Sequence, residues 1–511
     1  MIFYGRQRRI LVAPSAMADG PSLDFISSLP DEILHHILSF LPTNLAIQTC
    51  VLSKRWRHIW RNTPSISLEC NEFCAHKVHK TLKYHKARKL LSFRLDFHFD
   101  SDLIDFPGGT VTHHRYFAAD AWIKFALSRH PENLSLDFCL SNYKKYMFPD
   151  KFYATSSIKR LHLALNNCTT LIPRSKVFWP SLKHLCLDRC NIPDESAAKI
   201  LSGCPVLESL TLTLCSVLVR LDLAKSIHLK RLEIDLKYSG PKEIVAPHVQ
   251  YLRLKTYSRP CSLVDISSVT EAKLDIYYVE FAKMDYFLYM MDLKIVAKLQ
   301  NTEKLTLGAI FLQALTLAEF RGVPFPMLKI TSLTLETKIF RYIVPGIARL
   351  LQNSHGLKKL TLHLMKCEAI EEMYLHSYSD SRGLEFGIFP TSREPKLIAL
   401  FIEFLLGNTK TLETLVVRLE NNLDATKFEE LLQMAQTISH NYNDVSILVK
   451  QNTYPKDFVH ESRIQNLGKT SVAFVISQIL RKKRLYLVLL RSTSLLGGTL
   501  ICKVEQVLFL D

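Results

Sequence analysis

Residues 182–212, LKHLCLDRCNIPDESAAKILSGCPVLESLTL, decide how this chain folds. The stretch opens with Leu182-Lys-His-Leu185-Cys-Leu187 and closes with Leu207-Glu-Ser-Leu210-Thr-Leu212, one phrase written twice. On an extended strand alternate side chains face one side, so Leu-x-Leu puts two leucines on a common buried face. Between the phrases, Pro193-Asp194-Glu195-Ser196 starts a helix that runs through Ile200 and Leu201. Proline and carboxylates both suit the first turn, where N–H groups lack partners and the dipole is positive. Gly203 ends the helix and Cys204-Pro205 leads back to the next strand. Such a unit cannot close its own core, so copies must stack to be stable.

Copies stand on both sides of this stretch. Leu229-Lys-Arg-Leu232-Glu-Ile234 follows, then Val249, Leu252 and Leu254, Ile330, Leu333 and Leu335, and Leu357, Leu360 and Leu362. Partial copies occur at Leu134/Leu136, Leu161/Leu163, Leu274/Ile276 and Leu305/Leu307. Their separations, about twenty to thirty residues, fall in the leucine-rich-repeat range. The expectation is an α/β chain whose residues 66–370 form an irregular leucine-rich-repeat solenoid, with a parallel sheet on its concave face. Cys190 and Cys215 fall where leucine-rich repeats often place a buried Cys or Asn, so they read as core and not as reactive thiols. The positions between buried leucines face solvent. They include Asp188, Arg231, Glu233, Asp235, Tyr251, Arg253, Lys255, Asp275, Tyr277 and Glu336. Mixed charges with two tyrosines suit a protein or peptide better than a polyanion. Tyr251 with Arg253 is the pair best suited to anchor a target.

Towards the N-terminus lies a different texture, LPDEILHHILSFLPTNLAIQTCVLSKRWRHIW, residues 29–60. Leu29-Pro30-Asp31-Glu32 reads as a helix start, and Ile33, Leu34, Ile37, Leu38 and Leu41 recur at helical spacing. Pro42 stops that helix. Thr43 or Asn44 is placed to cap a second one carrying Ala46, Ile47, Cys50 and Val51, and Ser53 a third carrying Trp56, Ile59 and Trp60. Three short helices cannot bury all these apolar side chains among themselves, which leaves surface for a partner. An ordinary three-helix core is the alternative.

The Leu-Pro pair, the aliphatic stripe and the tryptophans, all in register, closely resemble the F-box. That resemblance implies binding of a Skp-type adaptor, and through it a cullin, by Leu29, Pro30, Ile33, Leu34, Ile37, Leu38, Val51, Leu52 and Trp56. The phrase from Asp194 to Leu210, and the Asp120-Ala-Trp-Ile-Lys-Phe-Ala-Leu-Ser-Arg helix running into Asn133-Leu-Ser-Leu, resemble plant F-box/leucine-rich-repeat proteins. Lys396, Phe404-Leu-Leu-Gly-Asn-Thr and Leu412-Glu are similar to the FBD region that often ends them. The implied organisation is a disordered leader over 1–23, an F-box over 24–65, the solenoid over 66–370, an FBD-like region over 371–450 and an unassigned extension over 451–511. Met17 lies just before the F-box, so residues 1–16 read as a dispensable leader or an upstream start.

Composition narrows the function. In 511 residues with 48% hydrophobic content there is room for two or three domains. No run approaches the roughly eighteen apolar residues of a membrane span, and residues 10–13 are too short for a signal-peptide core. Twelve cysteines without a secretory signal suggest free thiols in a reducing compartment, cytoplasmic or nuclear. The formal charge of +17 is concentrated at the N-terminus, at residues 77–89 and at Arg481-Lys482-Lys483-Arg484, with mixed signs between, so no nucleic-acid surface is expected. Cys70, Cys74, His76 and His79 offer zinc-type ligands, but their spacing is cramped and no metal is expected. The adjacent pairs His35-His36 and His113-His114 diverge on any regular element. With no phosphate loop, dinucleotide motif or nucleophile elbow, no catalytic residue and no cofactor is expected. The reading is a substrate receptor of an SCF-type ubiquitin ligase. The alternative is a repeat scaffold outside ubiquitin transfer, its F-box-like segment serving as a cap for the first repeat.

Overall fold

The computed structural model describes residues 29–70, 75–99, 110–140, 147–166, 170–236, 240–256, 261–276, 295–320, 322–365, 394–420, 423–442 and 445–451. They fall in two compact units, 29–63 and 64–451.

The first unit is three short helices, Asp31–Leu38, Thr43–Gln48 and Trp56–Ile59, with single 3-10 turns at Thr49–Val51 and Trp60–Asn62. Its interior is filled by Leu34, Leu38, Ala46, Cys50, Trp56, Ile59 and Trp60. The first helix stops at Leu38, one turn short of Leu41, and the Ser39 hydroxyl donates to the His36 carbonyl (2.6 Å). Neither expected cap forms. Pro42 precedes the second helix, and Arg55, not Ser53, precedes the third. Arg55 is drawn there by charge: its Nε donates to Asp31 Oδ1 (3.1 Å), and its guanidinium also donates to the Leu29 carbonyl. One side chain thus clips the start of the third helix to the start of the first.

In the second unit, fourteen strands among the described residues form one sheet. They are β1 (Ser65–Cys70), β2 (Ser92–Phe99), β3 (Asn133–Leu140), β4 (Arg160–Ala164), β5 (His184–Asp188), β6 (Ser209–Thr213), β8 (Arg231–Leu236), β10 (Tyr251–Thr256), β12 (Glu271–Ile276), β13 (Lys304–Gly308), β14 (Ser332–Thr337), β15 (Lys359–Leu364), β16 (Thr414–Leu419) and β17 (Ser446–Gln451). The strands stand in that order and every pairing is parallel. A second sheet of three short strands, β7 (Arg220–Asp222), β9 (Glu243–Val245) and β11 (Ser262–Asp265), is formed by the return segments of successive coils. Elsewhere the returns are helical, among them Thr110–Ser128, Asp194–Ser202, Ala309–Phe320, Val344–Gln352, Pro395–Gly407 and Ala425–Asn441. β16 and β17, which begin inside the stretch read as FBD-like, continue the sheet in register from β15.

Register turns the leucine phrases into columns. Leu161, Leu185, Leu210, Leu232 and Leu252 stand opposite one another, as do Leu163, Leu187, Leu212, Ile234 and Leu254. All ten are buried. Burying one such side chain is worth about 1.5–3 kcal/mol, and a one-residue slip would turn every strand inside out, so the register is strongly specified. After β5 and β6 the chain leaves the sheet through a residue of positive φ at the same place in each coil, Arg189 (49°) and Leu214 (53°), and after β4 through Asn166 (47°), one residue further on. Cys190 and Cys215 follow two of these turns and are buried, as expected from the sequence. Each thiol donates to a strand carbonyl of the preceding coil, Cys190 to Leu163 (3.6 Å) and Cys215 to Leu187 (3.3 Å). They staple coil to coil.

Candidate interaction sites

Two surfaces merit attention, one in each unit. On the first, helical spacing sorts the adaptor-binding candidates. Leu34 turns into the unit's own core and carries Ile33, its neighbour about 100° around the helix, outward. Ile33 is 46% exposed, Val51 61% and Leu45, which the sequence reading did not single out, 38%. Pro30 is exposed, and Leu29, Ile37 and Leu52 are half-buried. Leu34, Leu38 and Trp56 are buried, so they position the surface and do not form it. Cys50 lies beneath, its thiol donating to the Arg57 carbonyl (3.4 Å), and burial pushes its pKa up to about 11.

On the second unit, the outward rows of the sheet form the candidate target face. β8 and β10 bring four of the expected residues together. The Arg231 guanidinium stacks 3.7 Å from the centre of the Tyr251 ring, its register partner. Glu233 accepts from Arg231 Nε (2.7 Å) and from Arg253 Nη1 (3.3 Å). Burial raises the Tyr251 pKa, with Arg231 opposing it. Lys255 and Asp275 form a looser pair (3.9 Å), and burial raises the Asp275 carboxyl against the pull of Lys255. Lys273 reaches across β13 to Glu336 (2.5 Å). Gly308, the register partner of Glu336 on β13, carries no side chain, and a Cβ there would meet the Asp275 carboxylate.

Towards β2–β5 lies a second cluster. Asp188 pairs with Arg189 (3.3 Å), which also approaches Asp137 (3.5 Å), and Arg94 pairs with Asp96 (2.8 Å). The Asp96 hydrogen bond raises the Arg94 pKa. His162 sits in the same row, its Nδ1 3.2 Å from the Ser135 hydroxyl, and burial lowers its pKa despite Asp188 and Asp137. Tyr277 lies outside the described residues. Lys273, Arg94, His162 and Arg189 were not read from the sequence. Lys273 lies on the same face as Asp275, two residues along β12, so the alternation at Leu274/Ile276 was the signal that points it outward.

The zinc-type candidates do not assemble among the described residues. Cys70 is buried on β1, His76 and His79 are exposed on the helix Ala75–Tyr84, and Cys74 lies outside the description. No described helix is long and apolar enough to cross a membrane.

Comparison with known proteins matches a family model to each of the two units. A family model of the F-box domain matches residues 26–67, and one described as FBD-associated F-box protein At5g56370, LRR repeats, matches 119–276. The chain is 46% identical over 463 residues to F-box/LRR-repeat protein At5g02910 of Arabidopsis thaliana, covering 85% of this chain and 98% of that protein. This chain belongs to the F-box/LRR-repeat family. F-box/LRR-repeat protein At3g03360 of the same plant is 45% identical over 83% of this chain and 90% of its own length, and F-box protein At5g03100 is 48% identical over 60% and 96%. Within this F-box/LRR-repeat chain the three helices correspond to the F-box match and β3–β12 lie inside the repeat match.

Proposed function

We propose that this F-box/LRR-repeat protein is the substrate-recognition subunit of an SCF-type ubiquitin ligase in the cytoplasm or nucleus. The observation that carries the reading is the exposure of Ile33, Leu45 and Val51 on a unit whose own core is already filled by Leu34, Leu38, Trp56 and Trp60. Large apolar side chains held out from a small domain suit a protein partner. In this reading they seat a Skp-type adaptor together with Leu29, Pro30, Ile37 and Leu52, and the adaptor brings the cullin. The sheet face takes the target protein, with Arg231, Glu233, Tyr251, Arg253, Lys255 and Asp188 as first contacts. The chain itself is non-catalytic: it raises the effective concentration of target lysines near ubiquitin held elsewhere in the assembly.

The test is co-purification of the full-length chain with a purified Skp-type adaptor. Wild type should bind, and an Ile33→Asp/Val51→Asp variant should not, with its circular dichroism unchanged. No binding by wild type would sink the receptor reading in favour of a scaffold outside ubiquitin transfer.

A further inference from the structure

A groove of about 420 Å³ opens along the rim where the strands of the large sheet begin, lined chiefly by Lys159, Lys183, Val206, Glu208, His228 and Lys230. Four of these residues hold one position in successive coils, a single residue ahead of β4, β5, β6 and β8. Their backbones are locked together. The Lys159 carbonyl accepts from the Lys183 N–H (2.9 Å) and the His184 N–H (3.1 Å). That of Lys183 accepts from Glu208 and Ser209 (2.9 and 3.0 Å), and that of Glu208 from Lys230 and Arg231 (2.9 and 3.0 Å). Neighbouring strands stand about 4.8 Å apart, so the rim reads Lys, Lys, Glu, Lys at that spacing.

Elsewhere the same rim position holds Glu132, Gln250, Thr270, Glu303, Thr331, Lys358 and Glu413. Among the described residues no other two cations share neighbouring strands there. Lys183 is held by Glu208 (2.7 Å), and Lys159 is held from outside the groove by Glu132 (3.0 Å). Lys230 makes no ion pair among the described residues. With Lys89 also on Glu132 (2.9 Å), four ammonium groups share two carboxylates, a local excess of two positive charges, and His228 lies beside them. Such an arrangement focuses potential on an anion. Nothing in the packing uses the surplus, because the three groove lysines are exposed.

We propose that this groove is a binding site for a phosphate monoester. The dianion matches the surplus charge, and ammonium groups that line the groove can serve it as point donors. Val206 supplies an apolar wall for the carbon skeleton carrying the phosphate. A phosphorylated protein segment should therefore bind more tightly than free phosphate. The site is separate from both the adaptor surface and the outward rows of the sheet, so it stands whether or not the adaptor reading holds.

The test titrates the full-length chain, at fixed ionic strength, with a neutral peptide carrying one phosphoserine, its unphosphorylated form, and inorganic phosphate. The phosphopeptide should bind at least tenfold more tightly than the unphosphorylated peptide. Lys183→Gln/Lys230→Gln should weaken it at least tenfold, and Glu208→Gln should tighten it. Lys358→Gln/Lys359→Gln, which removes the same charge further along the solenoid, should leave it unchanged. Binding of inorganic phosphate that responds to the same variants, without preference for the peptide, would identify a small phosphate as the occupant. Equal binding by the groove variant and wild type would overturn the proposal. So would equal losses in the two double variants, or no response to any phosphate probe.

Discussion

Substituting Gly308 by alanine probes how tightly the target face is packed. A Cβ at Gly308 would stand 2.8 Å from Asp275 Cγ and closer still to its Oδ1, well inside ordinary contact. The carboxylate must swing aside and give up its hydrogen bond from the Ile276 N–H (2.9 Å). Losing that bond costs about 0.5–1.5 kcal/mol, and an off-rotamer Asp275 about as much again. Replacing glycine within a strand returns about 0.5–1 kcal/mol of backbone entropy. The net expectation is a destabilisation of about 1 kcal/mol for Gly308→Ala alone. In an Asp275→Ala background the obstruction is gone, and the same substitution should stabilise by about 0.5–1 kcal/mol. The two changes should thus couple by about 1.5–2 kcal/mol in a double-mutant cycle. Urea unfolding of the four proteins, followed by circular dichroism, measures it. Additive effects, or a Gly308→Ala that stabilises wild type, would refute the argument.

Three further outcomes are expected. Ile33→Ala/Val51→Ala removes five apolar carbons from side chains 46% and 61% exposed. If the adaptor buries them, its Kd should rise roughly thirtyfold, about 2 kcal/mol, in a calorimetric titration with the unit still folded. Burial lowers the His162 pKa below its ordinary 6.5. The unfolded chain therefore takes up that proton first as pH falls, so the stability is full above about pH 6.5 and drains away as pH falls through the folded pKa. Melting temperatures from pH 7.5 to 5 should fall less steeply for His162→Gln than for wild type, and equal slopes would contradict the assignment. Among thiols, Cys190 is buried with its pKa well raised, and burial pushes Cys204 and Cys261 up to about 12. Among the described cysteines, iodoacetamide followed by peptide mass spectrometry should find half-exposed Cys186 modified first. Labelling of Cys190 at the same rate would be incompatible with its staple to Leu163.

How much of this was legible before any coordinates depended on period. Leu185/Leu187 and Leu210/Leu212 announce strands because alternation on one face is what a half-buried strand requires, and the helix at 194–202 announces itself through Pro193 and Gly203. The strands β7, β9 and β11 escaped because each buries one central residue, Leu221, Ile244 and Leu263, and one residue has no period. The helix Ala309–Phe320 is buried nearly all round, so it has no polar face to mark its repeat. In the F-box the aliphatic stripe was visible, but which members face inward was not. Leu34 and Ile33 are chemically alike and differ only in azimuth. The third helix start was missed because Arg55 is fixed by Asp31, twenty-four residues earlier, and not by a local cap. Lys273 with Glu336 is the same lesson across a longer gap, since only the register shows that the two can meet.

The columns of the large sheet carry a consequence for how such a chain can change over time. Interior positions are coupled along the whole stack, because each leucine packs on its counterparts in the coils before and after. Outward positions one residue away carry no such debt, and most touch only a partner on the next strand or two. A lineage can therefore rewrite what the face recognises, one exposed letter at a time, while the buried letters go on spelling the same scaffold. Whole coils can be gained or lost in the same way, since a new strand enters the ladder with its register already dictated by its neighbour. Surface and architecture thus occupy alternate residues of the same strands, and they are free to evolve at different speeds.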